Sequence, residues 1–101
     1  MELFSRSCKV IDKNGNISDL IVRFYAPKHE EEYGDYRASA NIDCKFFEKN
    51  VYGIGSDAAQ AFFSLPMATT AYLLGQRRYG YEVYWLKQGD LDHSDFWTYR
   101  P

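Results

Sequence analysis

The sequence predicts an α+β fold in which about five antiparallel strands pack on one central helix, in the element order β-β-β-β-α-β. Two-residue alternation of apolar and polar side chains dominates the first half of the chain. An uncharged apolar segment with three-and-four spacing runs from Ala58 to Gln76, and a strand-like aromatic run, Tyr81 to Lys87, follows it. Alternation marks half-buried strands, and the 3.6-residue period marks a helix lying on them. A chain of 101 residues has the length of one domain, so residues 1–101 are read as a single α+β unit.

Leu3 to Lys13 reads as the first strand, with Cys8 and Val10 on one face and Lys9 and Ile11 on the other. Asn14-Gly15 is a strong hairpin signal because both residues tolerate positive φ. Ser18 to Ala26 returns as the second strand, where Leu20, Val22 and Phe24 alternate with Ile21, Arg23 and Tyr25. Pro27 cannot donate to a ladder, so it is expected to end that strand, and the charged run Lys28 to Glu32 to form an exposed connection.

From Asp35 the alternation resumes, with Tyr36, Ala38, Ala40, Ile42, Cys44 and Phe46 opposite Arg37, Ser39, Asn41, Asp43 and Lys45. The small Ala38 and Ala40 predict close passage of the helix above this strand. Glu48-Lys49-Asn50 is read as a turn and Val51 to Ile54 as a short strand. Ser56 or Asp57 then caps a helix expected from Asp57 to about Gln76, with Gly75, Arg77 and Arg78 as its stop signals.

The main helix stripe is Ala58, Ala61, Phe62, Leu65, Thr69, Tyr72 and Leu73. A second stripe, Phe63, Met67 and Leu74, occupies the side that usually meets water, and predicts that something covers it. Candidate covers are the tail aromatics Phe96, Trp97 and Tyr99, a second copy in a homodimer, or a heterologous partner. Pro66 removes one backbone hydrogen bond and predicts a kink near Ser64 and Leu65.

The helix entry Gly55-Ser56-Asp57-Ala58-Ala59-Gln60-Ala61-Phe62, with Trp85-Leu86 and Gly89-Asp90 after it, resembles a family of short uncharacterised bacterial proteins known only as a domain of unknown function. That family's helix begins Gly-x-Asp-x-x-Gln-Ala-apolar, and the strand Asp35 to Ile42 sits at the expected place before it. The resemblance covers roughly the last two thirds of the chain, apart from Pro66. It implies a sheet-plus-helix fold, a bacterial origin and no assigned activity.

Composition narrows the function classes. A net charge of -2 argues against nucleic acid as a partner, since backbone binding draws on a surplus of Lys and Arg. The run Arg77-Arg78-Tyr79-Gly80-Tyr81 mixes cations with stacking rings, but it also reads as a helix end neutralised by two arginines. The N-terminal ten residues lack an apolar run of signal-peptide length, and no stretch reaches the length of a membrane span, so a cytoplasmic location with no membrane contact is expected. Cys8 and Cys44 then read as reduced core residues.

No residue set points to catalysis, a metal or a cofactor. Gly53-Ile54-Gly55-Ser56-Asp57 lacks the Lys-Ser or Lys-Thr pair of a phosphate loop, and Asp57 would repel an anion. The cluster around Asp90, Asp92, His93 and Asp95 lacks the spacing of a calcium loop, while His29 and His93 lie in polar segments that do not fix an imidazole. Aromatic content of 18% exceeds what a small core absorbs, which predicts exposed tyrosines suited to contact.

The expected function is therefore a noncatalytic protein-interaction module, in concrete form a bacterial immunity or inhibitor protein that neutralises a toxin. Its candidate interface comprises the stripe Phe63, Met67 and Leu74, the tyrosines Tyr79 and Tyr84, and two acidic segments, Glu30, Glu31 and Glu32 and then Asp90, Asp92 and Asp95. The alternative is a small-molecule or single-stranded nucleic-acid binder that uses the Tyr-rich surface.

Overall fold

The computed structural model describes residues 1–85 together with Lys87 and Gly89. Five antiparallel strands form one sheet: β1 (Glu2–Ile11), β2 (Ile17–Glu30), β3 (Asp35–Cys44), β4 (Glu48–Gly55) and β5 (Glu82–Tyr84). The helix α1 (Ala58–Gly75) lies between β4 and β5 in the chain. Across the sheet the order is β4-β3-β2-β1-β5, so the chain leaves one edge, crosses as a helix, and returns at the other edge. The α+β class and element order match the sequence expectation.

The alternation expected of β1, β2 and β3 holds. Cys8, Val10, Leu20, Val22, Phe24, Ala38, Ala40 and Ile42 are buried on one face, where Ala61, Leu65 and Leu73 of the helix meet them. Phe24, at 1% exposure, is the largest fully buried side chain. The opposite face of the sheet carries the polar set. Among the described residues no helix is long and apolar enough to cross a membrane.

Several boundaries differ from expectation for identifiable reasons. The first hairpin does not use positive φ at Asn14; only Gly15 adopts it, at +85°. Gly15 N–H donates to the Asp12 carbonyl at 3.1 Å and Asp12 N–H to the Asn16 carbonyl at 2.9 Å, the pattern of a longer loop closed by a left-handed glycine. The Asp12 carboxylate accepts from the backbone N–H groups of Asn16 and Asn14 at 2.8 and 2.9 Å. Those bonds, chiefly the Asn16 N–H, hold the Asp12 carboxyl below its ordinary value of 3.8.

A carboxyl depressed in the folded state contributes stability that is full above its unfolded value and is lost as pH falls through the folded one. Asp12→Ala is therefore expected to lower the melting temperature at pH 7, with the gap from the wild type narrowing as pH falls below about 4. Melting curves recorded between pH 7 and pH 2.5 check this. A gap that stays constant over that range would mean the carboxylate does not hold the turn.

Pro27 does not end β2. The strand continues to Glu30 through a bulge between Tyr25 and Lys28, where the missing proline N–H is not needed by the ladder. The connection shrinks to Glu31–Gly34, and His29 stands on a strand with its ring 5.0 Å from that of Tyr36. Likewise Glu48, Lys49 and Asn50 belong to β4, and the turn before them is made by Lys45, Phe46 and Phe47. Phe46 and Phe47 leave the strand register to pack on Tyr81, at 5.3 and 5.5 Å between ring centroids.

The helix begins as expected, with Asp57 as its cap: the Asp57 carboxylate accepts from Gln60 N–H at 2.8 Å. Gln60 Oε1 reaches back to the Ser56 N–H at 2.6 Å, so each side of the entry satisfies the other. The helix runs through Pro66 to Gly75 without a break. The α-helix ends at Gly75, close to the expected Gln76, but Gly75 keeps helical φ, and a 3₁₀ turn, Gln76–Tyr79, carries on to Gly80, whose φ of +89° ends it.

The helix comes closest over β4, where the bare Cα atoms of Gly53 and Gly55 make room for it. A Cβ on Gly53 would stand 2.2 Å from the Ala61 carbonyl oxygen, and one on Gly55 2.6 Å from the Ala61 nitrogen. Ala38 and Ala40 are fully buried beneath the same helix, as their size predicted. The last strand is shorter than expected, three residues paired with Lys9, Val10 and Ile11 of β1. The tail Phe96, Trp97 and Tyr99 lies outside the described residues.

Candidate functional site at the open face of the sheet

With one face of the sheet buried against α1, the other is left as the broad polar surface of the molecule. At its centre Arg23 on β2 has partners of opposite charge. Its guanidinium lies 3.9 Å from Glu2 and 3.6 Å from Asp43, and donates to Asn41 Oδ1 at 3.4 Å. Asn41 in turn donates to Glu48 at 3.1 Å and to Asn50 at 3.0 Å, which carries the network from β1 to β4. Lys9 and Asp19, directly opposite on β1 and β2, form a further ion pair. Such a network leaves few polar groups in want of a partner.

One end of the same face is different. The bulge at Ala26 and Pro27 shifts the alternation of β2 by one residue, so Lys28 comes to stand opposite Arg37 and Glu30 opposite Asp35. Like charges thus face each other across the ladder in two pairs, one on either side of the pair His29 and Tyr36, an arrangement that costs stability. Arg37 Nε is buried and meets no acceptor, and Asp35 Oδ1 is buried without a donor. The Arg37 guanidinium is held instead by rings, 5.7 Å from the centroids of both Tyr33 and Tyr52.

These groups border a cleft of about 320 Å³ lined by Met1, Tyr25, Ala26, Lys28, Glu30, Arg37, Ser39 and Tyr52. Tyr33 and Tyr52 are exposed at 64% and 52%, so the expectation of surface tyrosines holds at this end of the sheet. The acidic turn Glu31 and Glu32 adjoins the cleft through Glu30.

The candidate interface residues are therefore distributed over separate surfaces. Phe63 and Met67 stand on the outer side of the helix, exposed at 60% and 69%. Leu74 shares their side of the helix but is half-buried and packs against the core; Thr70, one turn before it on that side, is 1% exposed, so the exposed stripe is confined to the N-terminal half of the helix. Tyr79 is exposed on the 3₁₀ turn, whereas Tyr84, 8% exposed on β5, is too buried to offer a contact ring. Glu30, Glu31 and Glu32 lie at the β2–β3 turn, and Asp90, Asp92 and Asp95 lie outside the described residues.

Sequence reasoning placed Arg37 on the polar face but gave it no role, and it missed Lys28, Tyr25 and Tyr52. The available signal was Pro27 itself: a proline inside an otherwise continuous alternation marks a bulge as well as an end. Elsewhere, chemistry is muted. Burial pushes the Cys44 thiol up, away from the thiolate a nucleophile needs, and no bridge joins it to Cys8. Among the described residues no group of three His, Cys, Asp or Glu side chains could hold a metal ion.

No family model matches the chain, and no curated protein or solved structure is detectably similar to it. The functional reading therefore stands on the geometry of this surface.

Proposed function

We propose that the chain is a noncatalytic protein-interaction module that binds its partner through the open face of the sheet, at the end where Tyr33 and Tyr52 flank Arg37 and Tyr25 lines the same cleft. The observation that carries this reading is the contrast between two arginines on one face. Arg23 has two carboxylates within 4 Å and donates to an amide oxygen, while Arg37 has two aromatic rings near it and its Nε unpaired. Tyrosine and arginine grouped around a cleft are the residue types that dominate binding energy at protein interfaces. In a bacterial cell the partner class we favour is a toxin neutralised by occlusion, with the acidic turn Glu30 to Glu32 steering a basic surface of the partner to the turn beside the cleft.

Affinity capture from the source cell, with three forms of the chain as bait, tests this. The wild type and Met67→Glu are expected to retain one stoichiometric protein, and Tyr52→Ala to lose it by about thirtyfold or more in affinity, the scale of a hot-spot tyrosine. Loss with Met67→Glu and retention with Tyr52→Ala would move the interface to the helix. Recovery of the bait alone would overturn the module reading, and failure of co-expression to protect cells from the captured protein would overturn its toxin form.

A further inference from the structure

We infer that the cleft at Arg37 and Lys28 is a carboxylate-binding site, which receives an acidic side chain or chain end of the partner; this rests on the interaction-module reading above. Lys28 faces Arg37 only because the bulge at Ala26 and Pro27 shifts β2 by one residue. A bulge that brings two cations together, where simple alternation would have kept them apart, is a local conflict of the kind that marks function. Neither cation has an ion-pair partner among the described residues, and Arg37 Nε is buried with no acceptor. A buried donor left unpaired costs free energy that an incoming oxygen recovers.

The shape and charge of the cleft choose among anions. The guanidinium is planar and lies 5.7 Å from the ring centroids of both Tyr33 and Tyr52, and its fork of donors suits a planar, two-oxygen acceptor. Tyr25 and Ser39, paired across β2 and β3, line the cleft beside it. Glu30 also lines it, and Asp35 stands opposite Glu30, so two cations share the site with two carboxylates. That balance favours a single negative charge over a dianionic phosphate, which the two acids would repel.

The test uses the full chain, labelled with ¹⁵N, and three small probes: benzoate, phenyl phosphate and uncharged benzamide. Benzoate is expected to bind saturably, with amide shifts centred on Tyr25, Ser39 and Tyr52, and more tightly than either other probe. Arg37→Gln is expected to weaken benzoate about tenfold or more, and Lys28→Gln by a smaller factor. Should Arg37→Gln not fold, Arg37→Lys keeps the charge and removes the fork, and is expected to weaken benzoate severalfold.

Equal binding of benzamide would reduce the cleft to an aromatic slot, and tighter binding of phenyl phosphate would overturn the carboxylate assignment. Absence of saturable binding, or shifts unchanged in the Arg37 variants, would overturn the site altogether. The two proposals fail separately. Benzoate binding without a captured protein sinks only the module, whereas capture lost in Tyr52→Ala without benzoate binding sinks only the carboxylate site.

Discussion

Gly53→Ala is expected to destabilise the protein by about 3 kcal/mol, at the upper end of the usual cost of overpacking a well-packed core. The added Cβ would stand 2.2 Å from the Ala61 carbonyl oxygen, 2.5 Å from Ser64 Oγ and 3.0 Å from the Leu65 nitrogen. Two of those three atoms are helix backbone, so no rotamer change relieves the contact. The helix must lift from β4, and the buried contacts of Ala61 and Leu65 loosen with it.

Gly34→Ala supplies the comparison. Its Cβ would meet nothing within 4 Å, but its φ of +70° is disfavoured for alanine, so about 1 kcal/mol is expected. Urea denaturation of both variants checks the ordering. A change below about 0.5 kcal/mol for Gly53→Ala, the scatter of a neutral surface substitution, would contradict the placement of the helix on β4.

Phe24→Ala is the second large effect, expected at about 4 kcal/mol. Phe24 is 1% exposed, lies in the middle of the sheet on β2, and stacks on Phe4 with ring centroids 4.9 Å apart. Truncation removes both the transfer energy of the ring and the contacts around the space it leaves, since β1 and β3 on either side restrict collapse. For a domain of this size that corresponds to a fall in Tm of roughly 20 °C. Met67→Ala, at a position 69% exposed, is expected to change stability by about 0.5 kcal/mol or less. Calorimetry on the pair gives the answer, and near-equal effects would mean that Phe24 is not the core anchor described.

Both predictions bear on how function is positioned. Phe24 and Gly53 hold the helix against one face of the sheet, and it is that one-sided cover which leaves Arg37, Tyr25 and Tyr52 on the other. Variants that loosen the helix are expected to reach the cleft only through global unfolding, because the cleft belongs to β2, β3 and β4 rather than to α1. The outer side of the helix and the cleft face away from each other, so the Met67 and Tyr52 variants separate the two surfaces.

Much of the architecture was legible in local pattern. The alternation of Cys8 and Val10, of Leu20 to Phe24, and of Tyr36 to Ile42 specified which side of each strand is buried, since successive side chains must point to opposite faces. Asp57 and Gln60 specified the helix entry through hydrogen bonds that span only three or four residues. Signals of this kind are complete within a short stretch of chain.

Where two strands or a strand and a helix had to be compared, local pattern misled. Nothing in the local pattern says why Gly53 and Gly55 are glycines: neither adopts positive φ, and each is needed because another element passes too close for a Cβ. Pro27 looked like a terminator until its missing donor fell at a bulge, and Leu74 looked as open as Phe63 and Met67 until packing covered that side of the helix toward its C-terminal end. Tyr84 looked exposed and is not.

The α+β class, the faces of the strands, the cap of the helix and a surplus of surface tyrosine were all written in local pattern. That two of those tyrosines, Tyr33 and Tyr52, flank Arg37 follows from tertiary packing alone. The physical reason is that register is a relation between strands: one extra residue in β2 exchanges which side chains face β3, and nothing within β2 or β3 alone states that Lys28 and Arg37 will meet.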